Sequence, residues 1–247
     1  IESITIPSSL NEIGYLAFDF SKISHISINS NNKNFEIKDN FFIDKNNKKI
    51  LAYLDKKTTK VTIPGSVKEI GESAFSGCKN LEEVILNEGL EKIGAGAFSN
   101  TKIKSINIPG SVKEIGESAF SGCKNLKEVI LNEGLEKIGA ETFYHTNIGS
   151  ITIPGSVKEI GESAFSGCKN LKEVILNEGL EKIGAEAFSN TNIESITIPG
   201  TVKEIGESAF SGCEWLNEVI YKGDASNIGW QYIGIDKTKV KIISSNN

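Results

Sequence analysis

The sequence predicts a solenoid of stacked repeats, and three observations predict it. The stretch 61–105 returns almost unchanged from Ile106, from Ile151 and, in part, from Ile196. This 45-residue step makes Ile63, Ile108, Ile153 and Ile198 equivalent, and likewise Cys78, Cys123, Cys168 and Cys213. Self-similarity at such a fixed spacing marks piled supersecondary units. The block is itself double, because residues 61–71 align without a gap on 84–94, giving halves of 23 and 22 residues. Each half opens with a short apolar–polar alternation, the pattern of a strand buried on one face.

Taken in order, residues 4–25 form a first unit and 26–60 a long variant. The variant starts with Ile26 and Ile28 inward. It then carries apolar runs at 41–43 and 50–54 around a polar stretch, 44–49, which reads as a β-hairpin with a solvated tip. Asp44, Asn46 and Asn47 resemble part of a calcium loop, but the glycine and closing glutamate of such a loop are missing, so a plain turn is expected. Regular units run 61–83, 84–105, 106–128, 129–150, 151–173, 174–195 and 196–218. Residues 219–243 begin like a unit and diverge. They read as a C-terminal cap, with Trp230 and Tyr232 covering the open end, and 244–247 as a frayed tail. The whole of 1–247 is expected to be one domain.

Within a unit, Val61 and Ile63 point inward, and Pro64, Pro109, Pro154 and Pro199 end the strand because proline cannot donate to a ladder. Val67 and Ile70 return to the core, and Gly71 and its equivalents are expected to permit the next bend. Ala74 lets backbones approach. Phe75, Phe98, Phe120, Phe143, Phe165, Phe188 and Phe210 should stack as an aromatic spine, with one helical turn at most around 73–76. Counting back three residues from Leu81 and Ile103 gives a column Cys78, Asn100, Cys123, His145, Cys168, Asn190, Cys213, expected to hydrogen-bond buried loop backbone. The order Lys-Glu alternates with Glu-Lys. Stacking therefore sets Lys68 beside Glu91 and Glu69 beside Lys92, and this holds the register.

The pattern Val61/Ile63/Pro64/Val67/Ile70/Gly71/Ala74/Phe75/Cys78 recurs down the chain and resembles the leucine-rich repeats of the BspA, or Treponema pallidum, type. That resemblance implies a leucine-rich-repeat right-handed superhelix: mostly short parallel β-strands, with turns or single helical turns on the convex side. It also implies a secreted or cell-surface bacterial protein, adhesin-like, whose partner is a protein such as a host, neighbouring-cell or matrix component.

Composition narrows the remaining classes. The net charge is −5, with 32 acidic residues, and every basic residue is Lys. Phosphate and base readout favour the Arg fork, so nucleic-acid binding is not expected. No window is long and apolar enough to span a membrane. The opening seven residues recur at 193–199 inside a repeat, so the chain is expected to be cut from something longer. Strands about 4.8 Å apart put cysteines two units apart roughly 10 Å from each other, beyond the ~7 Å bridging limit. Four free, buried thiols are expected, and no metal cluster. No Asn-x-Ser/Thr sequon occurs, which favours bacterial export over the eukaryotic secretory route.

Neither a catalytic motif nor a cofactor-binding motif is present, and nearly every polar residue is duplicated, whereas an active site needs unique residues converging in a pocket. No enzyme, cofactor or metal is expected, and nothing in the sequence specifies an oligomeric state. The candidate site is the outward strand column Thr62, Ile85, Asn107, Ile130, Thr152, Ile175, Thr197 and Ile220. Its isoleucines mark either a partner surface or the ordinary preference of strands for β-branched residues. The alternative to protein binding is a structural spacer projecting other domains, which near-identity of the units favours.

Overall fold

The computed structural model describes residues 3–14, 25–224, 226 and 228–242. The second half of the first unit, 15–24, and the expected frayed tail lie outside them. The chain is a β-solenoid of about ten turns with almost no helix. Among the described residues helical geometry is confined to the cap, where Lys237–Lys239 form a 3-10 turn. The stretch 73–76 is a turn closed by the Ser76 amide donating to the Ser73 carbonyl (2.8 Å).

Each regular unit contributes a front strand of three or four residues, such as Ser105–Ile108 and Glu128–Leu131. Their burial alternates, exposed and buried, as the sequence requires. Each also contributes a two-residue back strand, such as Glu114–Ile115 and Lys137–Ile138. Seven back strands form one continuous parallel ladder, from Glu204–Ile205 to Glu69–Ile70, and the hairpin strands extend it. The sequence did not suggest this second sheet, because two residues are too short to show period-two patterning.

The hairpin forms as expected, Phe41–Asp44 pairing antiparallel with Lys49–Tyr53, and a third strand, Phe35–Lys38, adds to it. Phe41 and Ile43 pack into the main core, while Phe42 packs with Ile6, Ile26, Phe35 and Ala52 in a small second core. Burial on both faces explains the unbroken apolar run. Ile26 is buried as expected and Ile28 is half-buried. Asp44 Oδ1 accepts from the Asn46 and Asn47 amides (2.9 and 3.1 Å), an Asx turn.

The spine runs from Phe75 to Phe210 with ring centroids 4.7–5.6 Å apart, and Tyr53 prolongs it. The charge ladder is present: Lys68–Glu91 (2.9 Å), Lys92–Glu114 (3.1 Å) and Lys182–Glu204 (3.0 Å), and Lys49 of the hairpin joins it at Glu69 (2.8 Å). These exposed pairs are worth only about 0–1 kcal/mol each. Their larger effect is that a one-unit slip would place like charges together.

Three expectations need correction. The bend reading of the Gly71 column gives way to close packing. A Cβ at Gly139 would lie 2.7 Å from the Glu117 amide nitrogen and 2.8 Å from the Ile115 carbonyl oxygen, so glycine is required by the approach of the preceding turn. Next, Asn100, His145 and Asn190 are not in the thiol column. They have φ of +58°, +55° and +56°, the left-handed conformation that Gly77, Gly122, Gly167 and Gly212 take in the alternate units. The residues level with the cysteines are the buried Thr101, Thr146 and Thr191. The 22-residue half lacks a residue after this position, not before it, so counting back from the next leucine slips the alignment by one. Lastly, Trp230 covers the end, edge-on to Tyr221 at 5.4 Å, while Tyr232 is exposed. Ile228 and Ile233 fill the cap instead.

Candidate functional site

The outward side chains of the front strands form the face on which the candidate residues lie. Inward Val and Ile fix which side chains face out, because a strand alternates sides. Ile85, Ile130 and Ile175 are 43%, 47% and 46% exposed, and Thr62, Asn107 and Thr152 are exposed between them. Thr197 and Ile220 are half-buried, so the open part of the column runs from Thr62 to Ile175. Register brings neighbours side by side: Thr62 opposite Ile85, Asn107 opposite Ile130, Thr152 opposite Ile175. Asn132 Nδ2 donates to Asn107 Oδ1 (2.7 Å) and to the Ile108 carbonyl (2.8 Å), which holds one polar member of the row. Along one edge Lys104 hydrogen-bonds Glu82 and holds its carboxyl below the usual range.

This face is interrupted. Steps of 23 residues are paired along the strand: Ser105–Ile108 with Glu128–Leu131, and Ser150–Ile153 with Glu173–Leu176. Steps of 22 are not. Only Ser105 pairs back to Glu83, and no ladder joins Glu128–Leu131 to Ser150–Ile153 or Glu173–Leu176 to Ser195–Ile198. The shorter units lack the residue that Asn80, Asn125 and Asn170 supply just before the next strand. Crevices of about 280 and 430 Å³ open at the two unpaired steps. They are lined by Glu128, Ile130, Ser150 and Thr152, and by Glu173, Ile175, Ser195 and Thr197. The front face is thus a series of paired strips separated by seams, backed by a continuous sheet. The seams were not legible in the sequence, although their cause, the alternation of unit length, is.

Trp215, outside the predicted column, is 60% exposed. Its signal is a break in repetition: Glu214-Trp215-Leu216 stands where the other three 23-residue units have Lys-Asn-Leu.

The interior is equally periodic. Cys123, Cys168 and Cys213 donate to the Phe98, Phe143 and Phe188 carbonyls, each at 3.1 Å, and lie 3.2–3.3 Å from the Thr101, Thr146 and Thr191 hydroxyls. All four cysteines are free and buried. Burial pushes the Cys168 thiol up to about 11. Among the described residues no group of three or more His, Cys, Asp or Glu is placed to hold a metal ion, and no helix is long and apolar enough to cross a membrane. His145 is exposed, its ring edge-on to Tyr144 at 4.1 Å.

Known proteins share this architecture. A leucine-rich repeat protein from Eubacterium ventriosum ATCC 27560 is 27% identical with a TM-score of 0.71, over 85% of this chain and 58% of that one. One from Bacteroides ovatus ATCC 8483 is 28% identical with a TM-score of 0.62, over 90% and 63%. The chain therefore spans less than two thirds of each. The T. pallidum leucine-rich repeat protein is 25% identical with a TM-score of 0.53, over 74% and 86%. No curated protein matches the sequence. The model of the BspA-type leucine-rich repeat region matches residues 1–53, 48–161 and 136–235, in six copies. With repeat pattern, solenoid and family model in agreement, the chain belongs to the BspA-type leucine-rich repeat family.

Proposed function

We propose that residues 1–247 act as one non-enzymatic protein-binding domain of a bacterial surface or secreted protein, adhesin-like, and that the front face makes the contact. The observation that carries this reading is the row of half-exposed isoleucines at 85, 130 and 175. Each is paired in register with a Thr or Asn of the neighbouring strand, Thr62, Asn107 and Thr152. Solenoids offer extended surfaces of this kind to macromolecular partners, and aligned apolar side chains ringed by polar ones suit a protein surface better than a small ligand. The partner class is a protein exposed on a host or neighbouring cell or in matrix, as the family suggests. The near-identity of successive strips favours a second reading, a spacer that projects other domains.

The test replaces Ile85, Ile130 and Ile175 together with Lys and measures adhesion of the purified chain to cells and immobilised matrix proteins. Circular dichroism checks that the fold is kept. The binding reading expects adhesion to fall at least tenfold. Unchanged adhesion by a folded variant discards the front face, and absence of adhesion by the parent chain favours the spacer.

A further inference from the structure

The column of alternating Cys and Thr has an odd first member. Tyr53 stacks on Phe75 as each spine ring stacks on the next. Lys56, three residues after Tyr53, therefore occupies the level that Cys78, three after Phe75, occupies one turn later. Where Cys123, Cys168 and Cys213 each meet a threonine hydroxyl from the preceding turn, Cys78 meets an amine. Lys56 Nζ donates to the Ser76 carbonyl at 2.6 Å and stands 3.9 Å from Cys78 Sγ. The lysine stem lies across Gly77, 3.8–3.9 Å from where a Cβ would be, while Lys56 as a whole remains exposed. Cys78 itself is 1% exposed, and the exposed Lys56 side chain is the group that stands beside its sulfur. Partial desolvation lowers the affinity of Lys56 for its proton, which raises the share of free amine able to act as a nucleophile.

We propose that Lys56 and Cys78 form an oxidant-operated cross-link that ties the hairpin unit to the first regular unit. Hydrogen peroxide, the oxidant class required, oxidises the thiolate form of Cys78 by two electrons; burial disfavours that form, and the neighbouring Lys56 charge and hydrogen bond favour it. One peroxide oxygen is transferred to sulfur, giving Cys78–SOH, and the other leaves as water. The free amine of Lys56 then attacks that sulfur. An S–N bond forms, the S–O bond breaks, and hydroxide departs with the amine proton as a second water, leaving a sulfenamide. Sulfenic acids condense with nitrogen in this way. Closing 3.9 Å to bonding distance needs only a shift of the lysine stem. A dithiol reverses the link, returning thiol and amine as it becomes a disulfide. Cys213 is the built-in comparison: it is the most exposed of the four at 9%, yet has Thr191 beside it and no amine to capture an oxidised sulfur.

The experiment treats the folded chain with hydrogen peroxide, blocks remaining thiols under denaturing conditions, and maps peptides by mass. The expected result is a Lys56–Cys78 linked peptide about 2 Da lighter than the sum of its parts, abolished by dithiothreitol. It should be absent in Lys56→Arg, in which Cys78 instead carries added oxygen of about 16 or 32 Da. The linked chain should melt at a higher temperature than the untreated one, an increase that Lys56→Arg does not show. Oxygen adducts on Cys78 with Lys56 unlinked in the parent chain would overturn the proposal. So would a folded chain whose Cys78 does not react at a peroxide concentration that oxidises it in urea.

Discussion

Replacing Phe143 with Ala tests the spine at its centre. Phe143 is fully buried, 5.6 Å from Phe120 and 5.3 Å from Phe165. The turns on either side cannot close over the gap, because backbone bonds fix their spacing: Phe120 N to the Thr142 carbonyl (2.9 Å) and Phe143 N to the Ala164 carbonyl (2.8 Å). Little collapse places the cost high in the usual Phe→Ala range of about 3–5 kcal/mol, so about 4 kcal/mol is expected. Coupling in a solenoid passes only between neighbours, so the loss should also separate the array into two parts. The assay follows from the sequence. Its two tryptophans, Trp215 and Trp230, both lie near the C-terminal end, so their fluorescence reports that end while far-ultraviolet dichroism reports the whole. In urea the two signals should coincide for the parent chain and part in Phe143→Ala. Thr152→Ala, on the exposed face, should stay within about 0.5 kcal/mol of the parent. A Phe143→Ala chain that loses less than about 1 kcal/mol, with coincident transitions, would mean that the ring stack does not hold the two halves together.

Three further outcomes are expected. Ser156 Oγ accepts from the Gly134 amide (2.9 Å) and donates to the Leu135 carbonyl (2.7 Å), whereas its equivalent Ser111 has a buried hydroxyl without a partner; urea midpoints should show Ser156→Ala losing about 1–2 kcal/mol and Ser111→Ala neutral or slightly stabilising. Burial raises all four thiols above their ordinary value. Their neutral forms are therefore favoured in the fold, and that stability is complete below the unfolded thiol value and lost as pH rises through the folded one. Unfolding titrations from pH 8 to 11 should show a decline starting near pH 9, with about 2–3 kcal/mol from Cys168 alone by pH 11. Hydrogen exchange should find seam-facing amides of Ser150–Ile153 unprotected and those of the continuous back ladder slow; equal protection would mean that the seams are closed in solution.

Much of this was legible because repetition does the work of an alignment. Phe75 and its six equivalents never vary, so the spine could be read directly, as could the Lys68–Glu91 alternation. What failed did so for local reasons. The back strands are too short to carry a period. Thr101 was hidden behind Asn100 because a one-residue deletion can be placed on either side of it. Gly139 suits a bend by its residue type, whereas its role is to let the Glu117 backbone through. Tyr232 and Trp230 are both plausible lids, and only the path of the cap, which buries Ile233 and edges Trp230 onto Tyr221, separates them. The candidate face was legible in its middle, where Ile85, Ile130 and Ile175 are open, and not at Thr197 and Ile220, which lie nearer the cap.

In a stack of this kind sequence distance converts to stacking distance at one strand spacing per unit. Pairs of spin labels at the exposed, equivalent positions 79, 169 and 214 measure it by pulsed dipolar spectroscopy. The expected separations are about 19 Å between 79 and 169, four units apart, and about 29 Å between 79 and 214, six units apart. Separations that do not grow in that proportion would contradict the stack.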